Sequence, residues 1–413
     1  MPPGSPVTCV DRLWERSRLE WRLGDPGEPA ELLAAFLAEL GLFAGSPARG
    51  GGPAPASGPA PGGGPTPGGH GDSGVCGAAV LISAAAAARI AGAPTGPPTP
   101  APAVPDVVAV GYEHGARRPA GERPGKPWAL GAWVPTWRPA EHAAAVSAVR
   151  AAIARGDVYQ VNVVGHGSAA YRGDPLPALH RATRLPGTRY AGLLTGAGWA
   201  VACASPETLV QVRGDRVSTA PIKGTRPATA AGRAELLGSA KERAEHVMIV
   251  DLARNDLGRV ARTGSVRVDR LYAVRRWCDL WQAESVVSAR LAGGVGLAEL
   301  LSAVCPGGSV TGAPKLAALA QIAGLEPVGR GPAMGALGWV GTGGLDLGLT
   351  IRTVAADGQR LHLWAGGGIT WDSDPLAEVA EADAKAAPLR SALAEHRGQQ
   401  HLVDVEGLAG LER

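Results

Sequence analysis

Four short apolar runs follow one another closely in the middle of the chain, with glycines at the turns between them. The runs are residues 189–194, 199–204, 208–213 and 216–220. Short apolar segments bounded by turn residues are typical of β-strands, and strands joined by brief turns pair antiparallel. This region therefore predicts an antiparallel sheet, and the helical segments around it make the expected fold class α+β.

Helical and extended segments flank these runs. Residues 140–155 have a helical pattern that ends at a glycine, the usual residue after a helix C-terminus. Residues 158–164 alternate apolar and polar side chains and predict a further strand. Upstream, the sequence predicts a helix that begins near Pro29, a strand followed by a helix within 75–92, and a strand at 106–112.

Two tracts rich in Gly and Pro interrupt the first third of the chain, at residues 46–74 and 94–105. They lack the apolar side chains that offset the entropic cost of ordering, so we expect disordered insertions there. The chain is accordingly divided into a divergent N-terminal region at 1–139, a main domain at 140–390 and a C-terminal tail at 391–413.

The charge balance argues against several classes of partner. Lysine and arginine number 40 against 37 acidic residues, which gives a net charge of +3, and they form no long basic run. We therefore expect binding neither to nucleic acid nor to a membrane surface. No apolar segment is long enough to cross a bilayer, no secretory signal is visible, and the five scattered cysteines indicate reduced thiols. These features predict a soluble cytoplasmic protein.

Lys223 lies in a setting that suits a reactive amine. It stands between an isoleucine and a glycine in residues 221–225, PIKGT. Glycine permits a sharp backbone turn and lets a ligand approach closely. A lysine becomes a nucleophile when its pKa falls from about 10.4 toward neutrality. A solvated surface lysine is the simpler alternative, but Glu207 sixteen residues upstream and further polar motifs downstream favour a functional site.

Two predicted helices carry carboxylates on one face. Glu242 and Glu245 are three residues apart at the edge of an apolar stripe, and Glu378, Glu381 and Lys385 share a face of a later helix. Either pattern alone is more typical of a salt-bridged surface helix. Clustered carboxylates repel one another unless a cation neutralises them, and Mg²⁺ prefers such oxygen ligands. A magnesium site is therefore the functional interpretation.

Residues 307–315, GGSVTGAPK, form a glycine-rich turn ahead of a predicted helix. The backbone N–H groups of such small residues can approach an anion closely. A glycine-rich turn is weak evidence when it stands alone. Its value here comes from its position in an ordered series of motifs.

That series resembles the chorismate-binding enzymes, the family of anthranilate synthase component I, aminodeoxychorismate synthase component I, and the isochorismate and salicylate synthases. The resemblance covers residues 140–390 and rests on 204–207, 221–225, Glu245, 251–259 and 307–315. It implies two large packed antiparallel sheets flanked by helices, with the active site between the sheets.

The resemblance also implies how the carboxylates act. Glu245 and Glu381 match glutamates that hold Mg²⁺ over a carboxylate of chorismate. Glu242 and Glu378 match glutamates that support them. The expected cofactor is therefore Mg²⁺.

The remaining site residues follow from the same resemblance. Lys223 would be the nucleophile, and Glu207 the general acid and base. Arg352 and Lys385 would pair with substrate carboxylates, a task that suits the guanidinium geometry of arginine. Further substrate contacts would come from Gly224, Thr225, Ser309, Thr311, Gly366, Gly367 and Gly368.

Lys223 and Gln160 together indicate the reaction. Family members that form anthranilate have alanine at the position of Lys223, and members that add water at carbon 2 have lysine at the position of Gln160. The combination in this chain resembles aminodeoxychorismate synthase component I. There the lysine attacks carbon 2 and expels the 4-hydroxyl, and ammonia at carbon 4 then displaces the lysine. The implied product is 4-amino-4-deoxychorismate, for 4-aminobenzoate or folate-type biosynthesis.

Three alternatives remain open: anthranilate synthesis, isochorismate synthesis, and a chorismate-binding protein without turnover. Ser285 and Ala333 stand where the family usually has histidine and tyrosine, and we expect His166, His246 and His362 to be structural or surface residues. The sequence has no Gly-x-Cys-x-Gly segment for glutamine hydrolysis. The expected substrates are chorismate and ammonia, and the expected partner is a glutamine amidotransferase subunit.

Overall fold

A computed structural model of the protein describes residues 13–43, 74–114 and 128–394. Its helices are α1 (Pro29–Glu39), α2 (Ala84–Ile90), α3 (Pro139–Ala154), α4 (Leu176–Thr183), α5 (Ala230–Gly238), α6 (Ala240–Gly258), α7 (Leu297–Val304), α8 (Lys315–Leu325) and α9 (Pro375–Ala394). A 3₁₀ helix of one turn covers Gly308–Val310. Within these ranges, no helix is both long and apolar enough to cross a membrane.

The strands of the described ranges are β1 (Leu13–Trp21), β2 (Val75–Ile82), β3 (Val107–His114), β4 (Ala129–Leu130), β5 (Val134–Pro135), β6 (Gln160–Arg172), β7 (Tyr190–Gly196), β8 (Trp199–Ser205), β9 (Thr208–Arg213), β10 (Arg216–Ala220), β11 (Ile222–Pro227), β12 (Arg267–Trp277), β13 (Leu280–Arg290), β14 (Gly312–Ala313), β15 (Ala336–Gly341), β16 (Gly344–Leu349), β17 (Thr353–Asp357) and β18 (Arg360–Ile369). The four apolar runs of the sequence correspond to β7, β8, β9 and β10.

These strands form two antiparallel sheets. The first has the order β1-β3-β2-β15-β16-β9-β10-β13-β11, and β12 also pairs with β13. The second has the order β14-β6-β18-β17-β8-β7, and the short β4 and β5 also pair with β6. The predicted α+β class with two antiparallel sheets is confirmed.

The sheets pack against each other through one apolar cluster. Val201 and Cys203 of the second sheet share that cluster with Val210 and Leu347 of the first, and none of the four is more than 1% exposed. Burying an aliphatic side chain of this size contributes about 2 kcal/mol. Two smaller apolar clusters lie on the other face of the second sheet. One lies under α4 and α9 and the other under α3 and α8, so these four helices cover that sheet from outside.

Two of the places where the chain crosses between the sheets are neighbours. The chain passes from the second sheet to the first between β8 and β9, and it returns between β16 and β17. The Ala204 N–H donates to the Arg352 carbonyl at 3.0 Å, so the two crossings lie side by side. This arrangement brings Glu207, on the first crossing, close to Arg352, on the second.

Much of the N-terminal third belongs to the first sheet. Strands β1, β2 and β3 join it through pairing of β2 with β15, in which Ile82 lies opposite Ala336. The structure confirms the predicted elements α1, β2, α2 and β3, whereas β1 was not predicted. The first sheet therefore contains strands from both sides of the division at residue 139.

The expectation of disorder at residues 94–105 is wrong. Ala101 is fully buried, and the Gly329 N–H donates to the Pro98 carbonyl at 2.9 Å. Proline has little backbone entropy to lose, so a Pro-rich segment can pack without regular secondary structure. The other Gly- and Pro-rich tract, 46–74, lies outside the described residues except for its last glycine.

Helix α9 extends past the predicted end of the main domain. It continues through residue 394, and Ala392 and Leu393 are buried against the second sheet. The first residues of the predicted tail are therefore helical. Residues 395–413 lie outside the described part of the chain.

Candidate active site

A cleft lies between the two sheets. Its walls come from β11 and β13 of the first sheet, β6 and β18 of the second, helices α6 and α9, and the 3₁₀ turn. It brings together these predicted site residues: Glu207, Lys223, Gly224, Thr225, Glu242, Glu245, Ser309, Arg352, Gly366, Gly367, Gly368, Glu378, Glu381 and Lys385.

Thr311 is the predicted site residue that does not line the cleft. Its side chain is buried, and its hydroxyl donates to the Gly307 carbonyl at 2.9 Å. Its own carbonyl accepts the Asn162 N–H at 2.7 Å. Thr311 therefore stabilises the glycine-rich turn, and the expectation of a substrate contact from its side chain finds no support in the geometry.

Lys223 faces the cleft from β11. The register with β13 shifts between Lys223 and Thr225, and Gly224 between them has φ +76°. Such a bulge re-aims the neighbouring side chains. Lys223 is 9% exposed, and within the described residues its amine has neither a hydrogen bond nor an ion pair. Burial lowers the pKa of Lys223, although the carboxylates of Glu245 and Glu207 act in the opposite direction.

The glycines of β18 leave the space that the Lys223 amine occupies. A Cβ atom at Gly368 would collide with that amine and with the side-chain amide of Gln160, and one at Gly367 would collide with the Glu378 carboxylate. Gln160 is 1% exposed, and neither end of its amide has a hydrogen-bond partner within the described ranges. An unpaired buried amide is costly, so this amide is available to a ligand.

Glu207 is a buried carboxyl group with two fixed donors. The Ser309 hydroxyl donates to Glu207 Oε1 at 2.6 Å, and the Ile222 N–H donates to the same oxygen at 3.2 Å. Burial raises the pKa of Glu207 to about 7, against the lowering effects of these two donors and of Lys223. A carboxyl group with a pKa near neutrality can both donate and accept a proton at physiological pH.

Arg352 and Lys385 provide fixed positive charge. Arg352 has φ +52°, an uncommon conformation for a residue with a side chain, and its guanidinium carbon lies 4.4 Å from the centre of the Trp277 ring. It donates to the Lys385 carbonyl at 2.9 Å, and burial lowers its pKa to about 10. The Lys385 ammonium donates to the Gly366 carbonyl at 2.9 Å. Arg352 remains charged at neutral pH, and both side chains can pair with an anionic ligand.

The carboxylates of α6 reach the cleft as the spacing predicted. Glu242 Oε1 accepts a hydrogen bond from the Arg226 guanidinium at 2.9 Å, and Glu245 Oε1 accepts one from the Thr370 hydroxyl at 3.0 Å. Both side chains are mostly buried, at 12% and 14% exposure. Burial raises the pKa of Glu245, so a cation beside it would relieve an unfavourable charge.

The carboxylates of α9 lie on the facing wall. Glu378 Oε1 accepts a hydrogen bond from the Ser373 hydroxyl at 2.7 Å, and Glu381 forms an ion pair with Lys385 at 2.6 Å. Burial raises the pKa of Glu378, although the Ser373 hydroxyl lowers it. Among the described residues, no three acidic, histidine or cysteine side chains converge as a preformed metal site. The donors are all carboxylate oxygens, which fits a hard cation that completes its coordination with water and a ligand.

Several further residues line the cleft that the motifs did not indicate, among them Asn162, Gln282 and Trp364. Asn162 follows Gln160 at a spacing of two along β6, so both side chains point to the same side of the strand. Two polar residues on one side of an otherwise apolar strand could have indicated from the sequence that this side of β6 faces a site. Gln282 reaches the site because β13 pairs with β11, a relation between segments far apart in the sequence.

Ser285 has a neighbour that the sequence did not reveal. His246 Nε2 lies 2.6 Å from Ser285 Oγ, which also accepts the Tyr272 N–H at 2.9 Å. His246 is 1% exposed, and burial lowers its pKa to about 4, so its ring is neutral at physiological pH. An imidazole from α6 therefore occupies the space beside Ser285. Ala333 is buried in the apolar cluster between the sheets.

The family comparison agrees with this geometry. The sequence family described as chorismate binding enzyme matches residues 105–391, which is more than half of the chain and includes the whole cleft. The protein therefore belongs to the chorismate-binding enzymes, a family of chorismate-utilising enzymes. Its particular activity is a separate question, because the relatives carry more than one name.

The similar proteins include members with two different names. The chain is 43% identical over 243 residues to aminodeoxychorismate synthase component 1 of Klebsiella aerogenes, covering 56% of this chain and 53% of that protein. It is 40% identical over 270 residues to anthranilate synthase component 1 of Streptomyces coelicolor, covering 63% of this chain and 53% of that protein. The matches thus span about half the length of these relatives.

Solved structures show the same fold. Anthranilate synthase component I from Streptococcus pneumoniae superposes with a TM-score of 0.73 at 24% identity, covering 94% of each chain. The menaquinone-specific isochorismate synthase of Escherichia coli has a TM-score of 0.60 at 19% identity and covers 70% of this chain and 73% of its own. At these identities the likeness establishes the fold alone.

Proposed function

We propose that this protein converts chorismate and ammonia into 4-amino-4-deoxychorismate. The observation that carries the proposal is the Lys223 amine, which faces the cleft without a partner among the described residues. Gln160 lies beside it, so the cleft has no second lysine at that position to activate water. The name of the Klebsiella aerogenes relative, aminodeoxychorismate synthase component 1, supports the same activity.

The proposed chemistry uses Lys223 and Glu207 in two substitutions. The neutral Lys223 amine forms a C–N bond at carbon 2, the ring double bonds shift, and the bond between carbon 4 and its hydroxyl breaks. Glu207 supplies the proton with which that hydroxyl leaves as water. Ammonia then bonds to carbon 4 and gives a proton to Glu207, while the Lys223 nitrogen leaves carbon 2. The lowered pKa of Lys223 and the raised pKa of Glu207 suit these roles.

Substrate binding would rest on charge. Chorismate carries two carboxylates, and Arg352 and Lys385 can pair with one of them. We propose that Glu245 and Glu381 hold Mg²⁺ against the other, supported by Glu242 and Glu378. The bound ion would supply charge neutralisation, which lets an acidic wall and an anionic substrate lie together.

The ammonia is proposed to come from a separate glutamine amidotransferase subunit. The relatives from Klebsiella aerogenes and Salmonella typhimurium are both named component 1, which supports a partner component. Free ammonium has no lone pair for attack on the ring, so local delivery of NH₃ to a site that excludes water is an advantage.

The test is product identification. Purified protein is incubated with chorismate, Mg²⁺ and concentrated ammonium at raised pH, the product is identified by mass, and released pyruvate is measured. We expect 4-amino-4-deoxychorismate with its enolpyruvyl group intact and no stoichiometric pyruvate. Anthranilate with equimolar pyruvate would contradict the proposal and would indicate the activity named for the Streptomyces coelicolor relative.

A further inference from the structure

Arg330 and Glu326 form a buried ion pair outside the cleft. Their side chains are only 6% and 4% exposed, and two hydrogen bonds of 2.8 and 2.7 Å join the guanidinium to the carboxylate. A buried ion pair is often no more stabilising than apolar residues of the same volume, because both charges lose their hydration. The other groups that the pair holds therefore matter more than the pair itself.

Those other groups are backbone atoms of β6 and of the 3₁₀ turn. Arg330 Nη2 donates to the Asn162 carbonyl at 2.8 Å, and Nη1 donates to the Val310 carbonyl at 2.6 Å. Glu326 Oε1 accepts the Val164 N–H at 2.9 Å. Strand β14 pairs with β6 only as far as residue 161. Beyond that point the Asn162 N–H still donates to the Thr311 carbonyl. The Asn162 carbonyl and the Val164 N–H, which a longer β14 would have bound, are instead bound by the Arg330–Glu326 pair.

The 3₁₀ turn connects this pair to the proposed acid–base group. Ser309 precedes Val310, and its hydroxyl donates to Glu207 Oε1 at 2.6 Å. The Ser309 carbonyl faces the Asn162 side-chain amide at 3.4 Å. The turn is thus held at two successive carbonyls, by Asn162 and by Arg330, and a shift at Val310 would move the Ser309 hydroxyl away from Glu207.

We propose that Arg330, oriented by Glu326, is a positioning residue for the Ser309–Glu207 hydrogen bond. The proposal rests on the proposed function in one respect, namely that Glu207 moves a proton during turnover. The charged groups that act on Glu207 are Lys223 on β11, Glu284 on β13 and Arg352 between β16 and β17. Within the described residues, none of the three has a hydrogen bond or ion pair with Arg330. Arg330 therefore influences Glu207 through the turn and not through direct charge.

The test uses Arg330→Lys in the full chain. Lysine keeps the positive charge beside Glu326, but one ammonium cannot replace a guanidinium fork that reaches Glu326 and two carbonyls. We expect kcat to fall about ten-fold, with the KM for chorismate nearly unchanged. The limb of the pH–rate profile that belongs to Glu207 should move up by about one pH unit, because a displaced Ser309 no longer lowers its pKa. An unmoved limb would overturn the proposal.

Ser309→Ala and the double variant make the test specific. Ser309→Ala should move the same limb in the same direction, and Arg330→Lys should add little to it in the double variant, because both act through one hydrogen bond. Fully additive effects would contradict the proposed route. Leu179→Ala removes a buried side chain under α4, remote from this turn, and should lower the melting temperature without moving the limb.

The result of this test can be distinguished from the result of the test of the proposed function. Product identity, measured on the parent protein, tests whether chorismate is aminated at carbon 4. The position of the pH limb and its coupling to Ser309 test the role of Arg330 for whichever chorismate product is formed. If the product differs but Arg330 and Ser309 are coupled as predicted, the positioning role of Arg330 stands. If the product is as proposed but the two residues are not coupled, that role is refuted.

Discussion

Small neighbours surround the amine of Lys223, the residue proposed as the nucleophile. Gly224 re-aims the strand, Gly368 leaves space for the ammonium head, and no carboxylate within the described residues pairs with it directly. Desolvation without a close counter-ion favours the neutral form of an amine. The same burial that is unfavourable for folding therefore suits Lys223 to the nucleophilic role proposed for it.

Replacement of Lys223 should change the product. In Lys223→Ala, amination at carbon 4 should be lost or sharply slowed, because the covalent step has no nucleophile. Residual product should shift toward attack at carbon 2. The measurement is product analysis by mass with high ammonium, and unchanged or higher thermal stability serves as the folding control, since a buried amine is removed. Aminodeoxychorismate formed at the parental rate would rule out the covalent role.

The raised pKa of Glu207 predicts a pH-dependent effect on stability. Because its folded pKa, about 7, lies above its ordinary value of 4.5, the parent loses stability as pH rises through that interval, by about 3 kcal/mol in all. Glu207→Gln keeps an acceptor for Ser309 and cannot ionise. Its free energy of unfolding relative to the parent should therefore increase from pH 5 to pH 8.

Urea unfolding of both proteins at the two pH values measures this difference. A constant difference between Glu207→Gln and the parent would show that Glu207 titrates normally in the folded state. Ser309→Ala provides a matched comparison, because it keeps the carboxyl group and removes a donor that lowers its pKa. Its loss of stability at pH 8 should exceed its loss at pH 5.

The sequence predicted individual residues where a motif fixes the backbone around them. Lys223 was predicted from the small residues beside it, whereas the roles of Glu207 and Arg352 were expected from the resemblance of their segments to the family. Thr311 was predicted to contact substrate, but its hydroxyl donates back to the Gly307 carbonyl, and the direction of its side chain depends on the one-turn 3₁₀ helix before it. The contact of His246 with Ser285 joins a helix to a strand that is distant in sequence, and no periodic pattern records such a contact.

At the scale of elements, α6 and α9 place carboxylates on two walls of one cleft. Helical spacing alone predicted which glutamates share a face, because residues three or four apart lie on the same side of a helix. It could not predict that the two faces meet. That depends on β11 and β18, which belong to different sheets and bring the helices together.

Neutralising one carboxylate on each helix should weaken metal binding. For Glu245→Gln and Glu381→Gln we expect a loss of activity. We also expect the affinity for Mg²⁺ to be about ten-fold weaker, because an amide has no charge to hold a hard cation. Titration calorimetry with Mg²⁺ in the presence of chorismate measures this. Glu141→Gln, in the first turn of α3, is the control and should bind as the parent does. Full Mg²⁺-dependent turnover in both cleft variants would refute the assignment.

At the scale of the whole molecule, two sheets enclose a site that neither could form alone. The sequence predicted both sheets in outline, but pairing of β2 with β15 joins residues 82 and 336, a separation that local patterns do not record. It also misjudged 94–105, because a Pro-rich composition describes the cost of ordering and not the surface available for packing. Composition is thus a weaker guide than strand and helix patterns in this chain.

The proposed source of ammonia is a separate amidotransferase subunit. Glutamine should not support turnover by this chain alone, since its sequence has no recognisable glutamine-hydrolysing segment, whereas concentrated ammonium at raised pH should. Addition of the matching amidotransferase should restore the use of glutamine. A coupled assay of product formation with each nitrogen source measures this, and glutamine-dependent turnover by the isolated chain would contradict it.

The central claim is that Lys223 bonds covalently to the ring during amination, and intact-protein mass measures this most directly. The protein is mixed with chorismate and Mg²⁺ without ammonia, then denatured rapidly. The account predicts a species heavier than the protein by one chorismate less one water, located at Lys223 by peptide mapping, absent from Lys223→Ala and lost when ammonium is added. Formation of aminodeoxychorismate by the parent, with no such adduct and with an equally active Lys223→Ala variant, would contradict it.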